Sequence, residues 1–319
     1  MLSDVQHQDE AVRFLRRVVE GHLTTPLLLL GPEGTGRRFA ALETAREMYC
    51  TGTKATGCPC FNCAQVTSNA HPDLTVVIPP DGKDIGIETS RGILEATRSY
   101  PSMAPARIVI IDGIDRITVP AANALLKMLE EPPPTVRFLL LAESGARVLP
   151  TIRSRSGQVA FRPLPEAYVL STLQRFEKST EKALVYARLS EGSVGRAIQL
   201  WGAGRLLLRD KVVSLLSLSL KGDVAGCFSL VDQLEKDLPL ALHFLGLTLH
   251  DLLMLPYDPT KIINVDRLTE LEALRVRVPA AVWQRLRQSV QEVQALYRGT
   301  RIQLGFHTKA LLLESFQGA

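Results

Sequence analysis

Apolar residues in the first half of the chain alternate between short unbroken runs and longer stretches at helical spacing. Residues 11–19 carry Val12, Leu15, Val18 and Val19 on one helical face, and residues 25–30 follow as an apolar run of the kind a strand covered on both faces requires. Phe39, Leu42, Ala45 and Met48 then recur every three residues, which predicts a helix to about Tyr49. Residues 73–78, 107–111, 136–142 and 157–161 read as further strands, the second ending at Asp112. Helices are expected at 88–99 and at 120–130, where Pro120 suits a first turn and Pro132, Pro133 and Pro134 stop the helix. This order predicts an α/β fold, a mostly parallel sheet with helices on both faces.

From Pro163 the β-branched runs disappear and Leu- and Ala-rich helical patterns replace them. Residues 166–176, 180–190 and 194–201 read as a small helical bundle. Beyond Gly202 and Gly204 a longer all-α region begins. Within it the Leu-rich stretch 239–255 is apolar enough to bury more than one face. Val282, Leu286, Val290, Val293 and Tyr297 form a single stripe. The expected domains are 1–163, 164–204 and 205–319.

The composition, 46% hydrophobic and 22% charged over 319 residues, is that of an ordinary globular protein, and the net charge of +4 permits nucleic acid as a neighbour without indicating it. Aromatic residues make up only 6%, so a base-stacking platform is not indicated. The first ten residues lack a signal-peptide layout, and no apolar run reaches a membrane span, which together predict a cytoplasmic protein.

Two stretches carry candidate chemistry. Gly31 to Arg38 reads Gly-Pro-Glu-Gly-Thr-Gly-Arg-Arg directly behind an apolar run. A working phosphate loop, G-x-x-x-x-G-K-[ST], wraps backbone N–H groups round the phosphates, reaches them with Lys and holds Mg²⁺ with a hydroxyl. Here Gly31, Gly34 and Gly36 keep the glycine frame, while Arg37 and Arg38 replace the lysine and the hydroxyl. A planar guanidinium does not substitute for a compact ammonium, and a second cation stands where the metal would sit. The expectation is a nucleotide-binding fold that neither needs ATP or Mg²⁺ nor hydrolyses ATP in its own loop; the alternative is a plain Gly-rich turn. In the second stretch, Cys50, Cys58, Cys60 and Cys63 can close a tetrahedral structural zinc site, with Gly52, Gly57 and Pro59 supplying turns, although the Cys58 to Cys60 gap is tighter than usual. The alternative is four thiols without a metal.

Residues 107–143 and 148–156 resemble the clamp-loader branch of the AAA+ proteins. The first stretch contains Ile-Ile-Asp-Gly-Ile-Asp-Arg-Ile-Thr and Ala-Ala-Asn-Ala-Leu-Leu-Lys-Met-Leu-Glu-Glu-Pro-Pro-Pro. The second contains Ser154-Arg155-Ser156, where the family has Ser-Arg-Cys. The cysteine loop also belongs to bacterial members, in which it binds zinc, and residues 192–196 resemble the sensor-2 region. The resemblance implies an AAA+ sheet domain, a helical lid and a C-terminal helical collar. It implies that Asp112 corresponds to a metal-holding carboxylate and that Gly113 stands where hydrolysing members have a Glu to polarise water. Asp115, a turn away, is expected to be a solvated loop residue and no substitute. Arg155 matches the arginine finger given in trans to a neighbour's nucleotide, with Arg153 a weaker candidate. Arg196 would be structural, and Lys127 and Arg116 are most simply solvated, with DNA contact the minor reading. Implied partners are gamma/tau and delta clamp-loader subunits in a heteropentamer, with the sliding clamp and primed DNA met through the assembly and no membrane. The other readings are an active P-loop ATPase of the gamma/tau type that uses Arg37, and a zinc-stabilised DNA-binding module.

Overall fold

The computed structural model describes residues 1–80, 83–299 and 308, arranged as two compact units, Met1–Pro165 and Glu166–Ala319. The first unit is built on strands β1 (Leu27–Leu30), β2 (Leu74–Val77), β3 (Arg107–Asp112), β4 (Val136–Ala142) and β5 (Gly157–Ala160). All pair in parallel in the order β2-β3-β4-β1-β5, so the loop after β1 emerges between the ends of β4 and β5.

Side chains of a strand alternate between faces, and the Leu run of β1 serves both. Leu27 and Leu29 join Ile108, Ile110, Leu139 and Leu141 beneath α1 (Asp9–Val19) and α2 (Arg37–Tyr49). Leu28 joins Val109, Ile111, Phe138 and Leu140 beneath α4 (Ile87–Ala96) and α5 (Val119–Glu130). The apolar runs 108–111 in β3 and 138–142 in β4 are therefore a consequence of two covers, and β4 is buried along its whole length, Arg137 included.

The helix expected from the Phe39, Leu42, Ala45 and Met48 series is present as α2, and its buried face is set by small residues. Ala40, Ala41, Thr44 and Ala45 lie against the sheet, while Phe39 is 46% exposed. Positions three apart fall behind an α-helical turn by roughly 60° each, so the Phe39, Leu42, Ala45 and Met48 series winds across the helix instead of lining it. The small side chains let the helix pack on the sheet over β3 and β4. Two short helices were not visible in the pattern, α3 (Phe61–Thr67) and α6 (Pro150–Arg153).

The second unit is helical: α7 (Glu166–Leu173), α8 (Thr180–Leu189), α9 (Val194–Gly202), α10 (Leu206–Leu220), α11 (Val224–Gln233), α12 (Leu238–Met254), α13 (Leu268–Arg275) and α14 (Ala280–Gly299). Ser179, Ser193 and Asp223 accept backbone N–H bonds at the starts of α8, α9 and α11. The Leu-rich α12 buries Leu242, Phe244, Leu245, Leu247 and Leu249, more than one face, and packs against α14, whose Val282, Leu286, Val290 and Val293 are buried. The side chain of Tyr297, the last member of that stripe, lies outside the described residues. Asp251, fully buried on α12, ties down a loop by accepting from the backbone N–H groups of Ile263 and Asn264, both at 2.8 Å. Burial raises its carboxyl above the usual range despite those bonds. No helix among the described residues is long and apolar enough to cross a membrane.

Candidate functional site

The loop between β1 and α2 keeps the backbone of a phosphate cradle. A Cβ on Gly31 would stand 2.2 Å from the Phe161 carbonyl oxygen, so only glycine fits where β1 leaves the sheet beside β5. Gly34 and Gly36 have φ of 74° and 100°, and Gly36 caps α2 with no side-chain bond. The loop is braced from within the protein. Thr35 Oγ1 donates to the Pro32 carbonyl at 2.8 Å; Gln8 Nε2 donates to the Thr35 and Arg162 carbonyls at 3.4 and 2.7 Å, and Gln8 Oε1 accepts from the Arg162 N–H.

Arg37 begins α2 and is only 7% exposed, with its Nη1 lacking a hydrogen-bond partner among the described residues. Burial lowers its pKa, against the opposing pull of Asp112, Glu143, Asp115 and Glu33. Arg38 donates from Nε to Asp112 Oδ2 at 2.5 Å. The carboxylate at the end of β3, which in a hydrolysing loop would face a metal, is thus paired with a guanidinium of the same chain.

Gly113 follows with φ of 84°, and a Cβ there would lie 3.0 Å from Arg116 Nη2 and 3.2 Å from its Nε. A side chain at this position meets left-handed strain of about 1–2 kcal/mol as well as that contact. Gly113→Glu, which writes back the missing carboxylate, is accordingly expected to lower stability by about that amount and to yield no ATP turnover by the purified chain; a thermal melt and a phosphate-release assay check both.

Asp115 corrects an expectation. Its side chain is 6% exposed, 3.5 Å from Arg147 Nη2, which also pairs with Glu143. The short turn Ile114–Arg116 after β3 folds it inward, so it is a buried ion-pair partner and not a solvated loop residue.

Arg155 lies between α6 and β5, 31% exposed. Its Nη1 donates to the Thr151 carbonyl at 3.0 Å and to Ser154 Oγ at 3.4 Å, and its Nη2 to Glu130 Oε1 at 3.2 Å. Arg153 donates to the Gly145 carbonyl at 3.2 Å, and Arg196, in the helical unit, pairs with Glu191 at 3.3 Å. Lys127 and Arg116 are exposed.

The four cysteine sulfurs converge, all within 4.8 Å of one another, and none is disulfide-bonded. Cys50 ends α2, Cys60 caps α3 and Cys63 sits in its first turn; Sγ separations of 3.6 Å (Cys50 to Cys58) and 3.9 Å (Cys50 to Cys60) match the roughly 3.8 Å edge of a tetrahedron built on Zn–S bonds of about 2.3 Å. A Cβ on Gly52 would lie 2.7 Å from Cys58 Sγ, which explains a glycine there. The backbone N–H of Cys63 pulls the Cys60 thiol down to about 5, and that of Cys60 lowers Cys58, while burial pushes Cys63 up. Thiols lowered in this way at Cys58 and Cys60 suit a soft cation. Met1 packs over the cluster.

The loop residues, Asp112 and Gly113 therefore gather at the C-terminal ends of the central strands, while Arg155 and the cysteines occupy separate places. Sequence reasoning missed Gln8, Glu130 and Arg147. Glu130 is the last residue of a predicted helix and gave a positional hint; Gln8 is 154 residues from Arg162 and gave none.

The sequence matches the family described as DNA polymerase III, delta subunit, over residues 7–165. It is 32% identical over 247 residues to the DNA polymerase III subunit delta' of Escherichia coli (strain K12), covering 75% of this chain and 73% of that protein. It is 32% identical over 195 residues to the subunit of that name from Bacillus subtilis (strain 168), covering 60% of this chain and 59% of the other, less than two thirds of its length. A DNA polymerase III subunit gamma/tau of Mycobacterium tuberculosis (strain ATCC 25618 / H37Rv) is 31% identical over 177 residues, covering 51% of this chain and 31% of that one. In structure, the DNA polymerase III, gamma subunit-related protein of Thermotoga maritima is similar with a TM-score of 0.52 at 19% identity, covering 97% of this chain and 99% of that one, a likeness of fold.

Proposed function

Because this chain belongs to the DNA polymerase III delta-prime subunit family, we propose that it is a non-hydrolysing wall of a cytoplasmic clamp loader, completing with Arg155 the ATP site of a neighbouring gamma/tau subunit. The observation that carries the non-hydrolysing half is the Arg38 to Asp112 pair. Phosphoryl transfer to water needs a cation on the phosphates, a metal held by a hydroxyl and a carboxylate, and a group that orients the water. Here the lysine is a buried Arg37, the hydroxyl is Arg38, the metal-side carboxylate is already neutralised, and the water-orienting position is Gly113.

Arg155 is the group left to act on another molecule's nucleotide. Its guanidinium is partly exposed and held by one carboxylate, one carbonyl and the Ser154 hydroxyl, so a phosphate presented by a partner can take the carboxylate's place and have its growing charge stabilised. Helices α7 to α9 act in this reading as the lid, α10 to α14 as the collar that joins delta and gamma/tau subunits, and zinc on Cys50, Cys58, Cys60 and Cys63 as a structural brace. The sliding clamp and primed DNA are met by the assembled complex.

The test is reconstitution. The purified chain alone should turn over no ATP above background, and adding it to delta and gamma/tau subunits should be required for DNA-stimulated turnover and for placing the clamp on primed DNA. Turnover by the isolated chain that Arg37→Ala or Asp112→Asn abolishes would instead establish an ATPase in its own right.

A further inference from the structure

We infer that Glu130 is a latch for Arg155, holding the guanidinium in the subunit until a neighbour's nucleotide phosphate competes for it; the inference rests on the arginine-finger reading above. Glu130 is the last residue of α5, and its Oε1 accepts from Arg155 Nη2 at 3.2 Å. The remaining contacts of that guanidinium are of a different kind. The Thr151 carbonyl and Ser154 Oγ both take Nη1 and belong to α6 and the residue after it, close neighbours of Arg155 in the chain. Arg155 Nε is buried without a hydrogen-bond partner among the described residues. A planar guanidinium with one edge fixed on local acceptors offers Nη2 as its outward donor, and that donor is the one the carboxylate occupies.

A carboxylate and a phosphate recognise a guanidinium by the same charge-assisted pair of N–H donors, so they compete. The latch is also weak enough to open. Glu130 is 57% exposed and Arg155 31%, and pairs in such surroundings are screened and shift an equilibrium by about two- to fivefold. A pair buried on both sides would be too costly to break on every cycle. Glu130 is thus a positioning residue. It sets how much nucleotide occupancy next door is needed before the finger leaves, and it does not touch the reacting atoms.

The experiment uses the reconstituted clamp loader with Glu130→Gln, Glu130→Asp, Arg155→Ala and the double variant Glu130→Gln with Arg155→Ala. Two quantities are read: the dissociation constant of a non-hydrolysable ATP analogue at the completed site, and the turnover rate at saturating ATP. Glu130→Gln should tighten analogue binding by about two- to fivefold with saturated turnover following wild type, and Glu130→Asp, which keeps the charge, should stay within about twofold of wild type. The tightening should vanish when Arg155 is already Ala. Unchanged or weaker binding by Glu130→Gln, or equal tightening in the Arg155→Ala background, would overturn the latch while leaving the finger standing. Saturated turnover that Arg155→Ala leaves intact would overturn both. A thermal melt of each variant, with Glu130→Ser as a second neutral replacement, separates these outcomes from misfolding.

Discussion

Arg155→Ala in the reconstituted loader is expected to lower ATP turnover at the site this chain completes by roughly 10³-fold, the lower end of what an arginine supplied in trans contributes to phosphoryl transfer. The comparison is sharpest when the other motor sites carry disabled phosphate loops, so that one interface reports. The size of the effect separates the two roles Arg155 can have. As a local brace it holds Glu130 and the Thr151 carbonyl, and the loss of a partly exposed ion pair costs about 0.2–1 kcal/mol, which leaves folding and assembly intact. As a finger it meets charge that exists only in the transition state, and the loss falls on saturated turnover. Arg155→Lys should recover only part of the rate, since an ammonium keeps the charge without the planar fork. A variant loader that turns over ATP and loads clamps at the wild-type rate would remove Arg155 from the mechanism.

Cys63→Ala is expected to abolish zinc binding and to lower the melting temperature by roughly 10 °C, a loss of at least about 3 kcal/mol in a unit of this size. Cys63 is 1% exposed and stands in the first turn of α3, so its sulfur links that helix to Cys50 at the end of α2. Without a metal, four sulfurs this close would repel as thiolates or be buried as idle thiols; a dication resolves both, and it fixes a segment that has only one short helix of its own. Protein purified without added zinc should carry about one equivalent by elemental analysis, and a chelator should reproduce the melting shift of the variant. Less than stoichiometric zinc with an unchanged melt would reject the metal.

Strands were the most legible part of the fold because a strand covered on both faces needs nothing but apolar residues, and β4 appears with both ends as expected. Helix faces were less so. The series Phe39, Leu42, Ala45 and Met48 identified α2 but carried no statement of its buried side, which is formed by Ala40, Ala41, Thr44 and Ala45. Short helices such as α6 have too few residues to show a period. At the candidate site, the departures of Arg37, Arg38 and Gly113 from a hydrolysing pattern could be read directly, because the chemical group a residue carries is a property of the residue itself. What those residues touch could not. Burial of Asp115 and the strap from Gln8 to Arg162 depend on chain segments brought together only by the tertiary fold.

Under the proposed non-hydrolysing role, the Arg38 to Asp112 pair also bears on how such a loop could be made to work. Substituting Arg38 by Thr alone would leave Asp112 without its counter-charge, and replacing Asp112 would leave Arg38 without its carboxylate partner. Installing Glu at Gly113 meets backbone strain whichever residues stand beside it. These changes are neighbours that share charges and space, so their effects do not add, and each taken singly makes the protein worse. Under the non-hydrolysing reading, a route to hydrolysis through these positions runs downhill in stability before it can run uphill in activity. A designer, or a lineage, would have to change several positions of this loop at once.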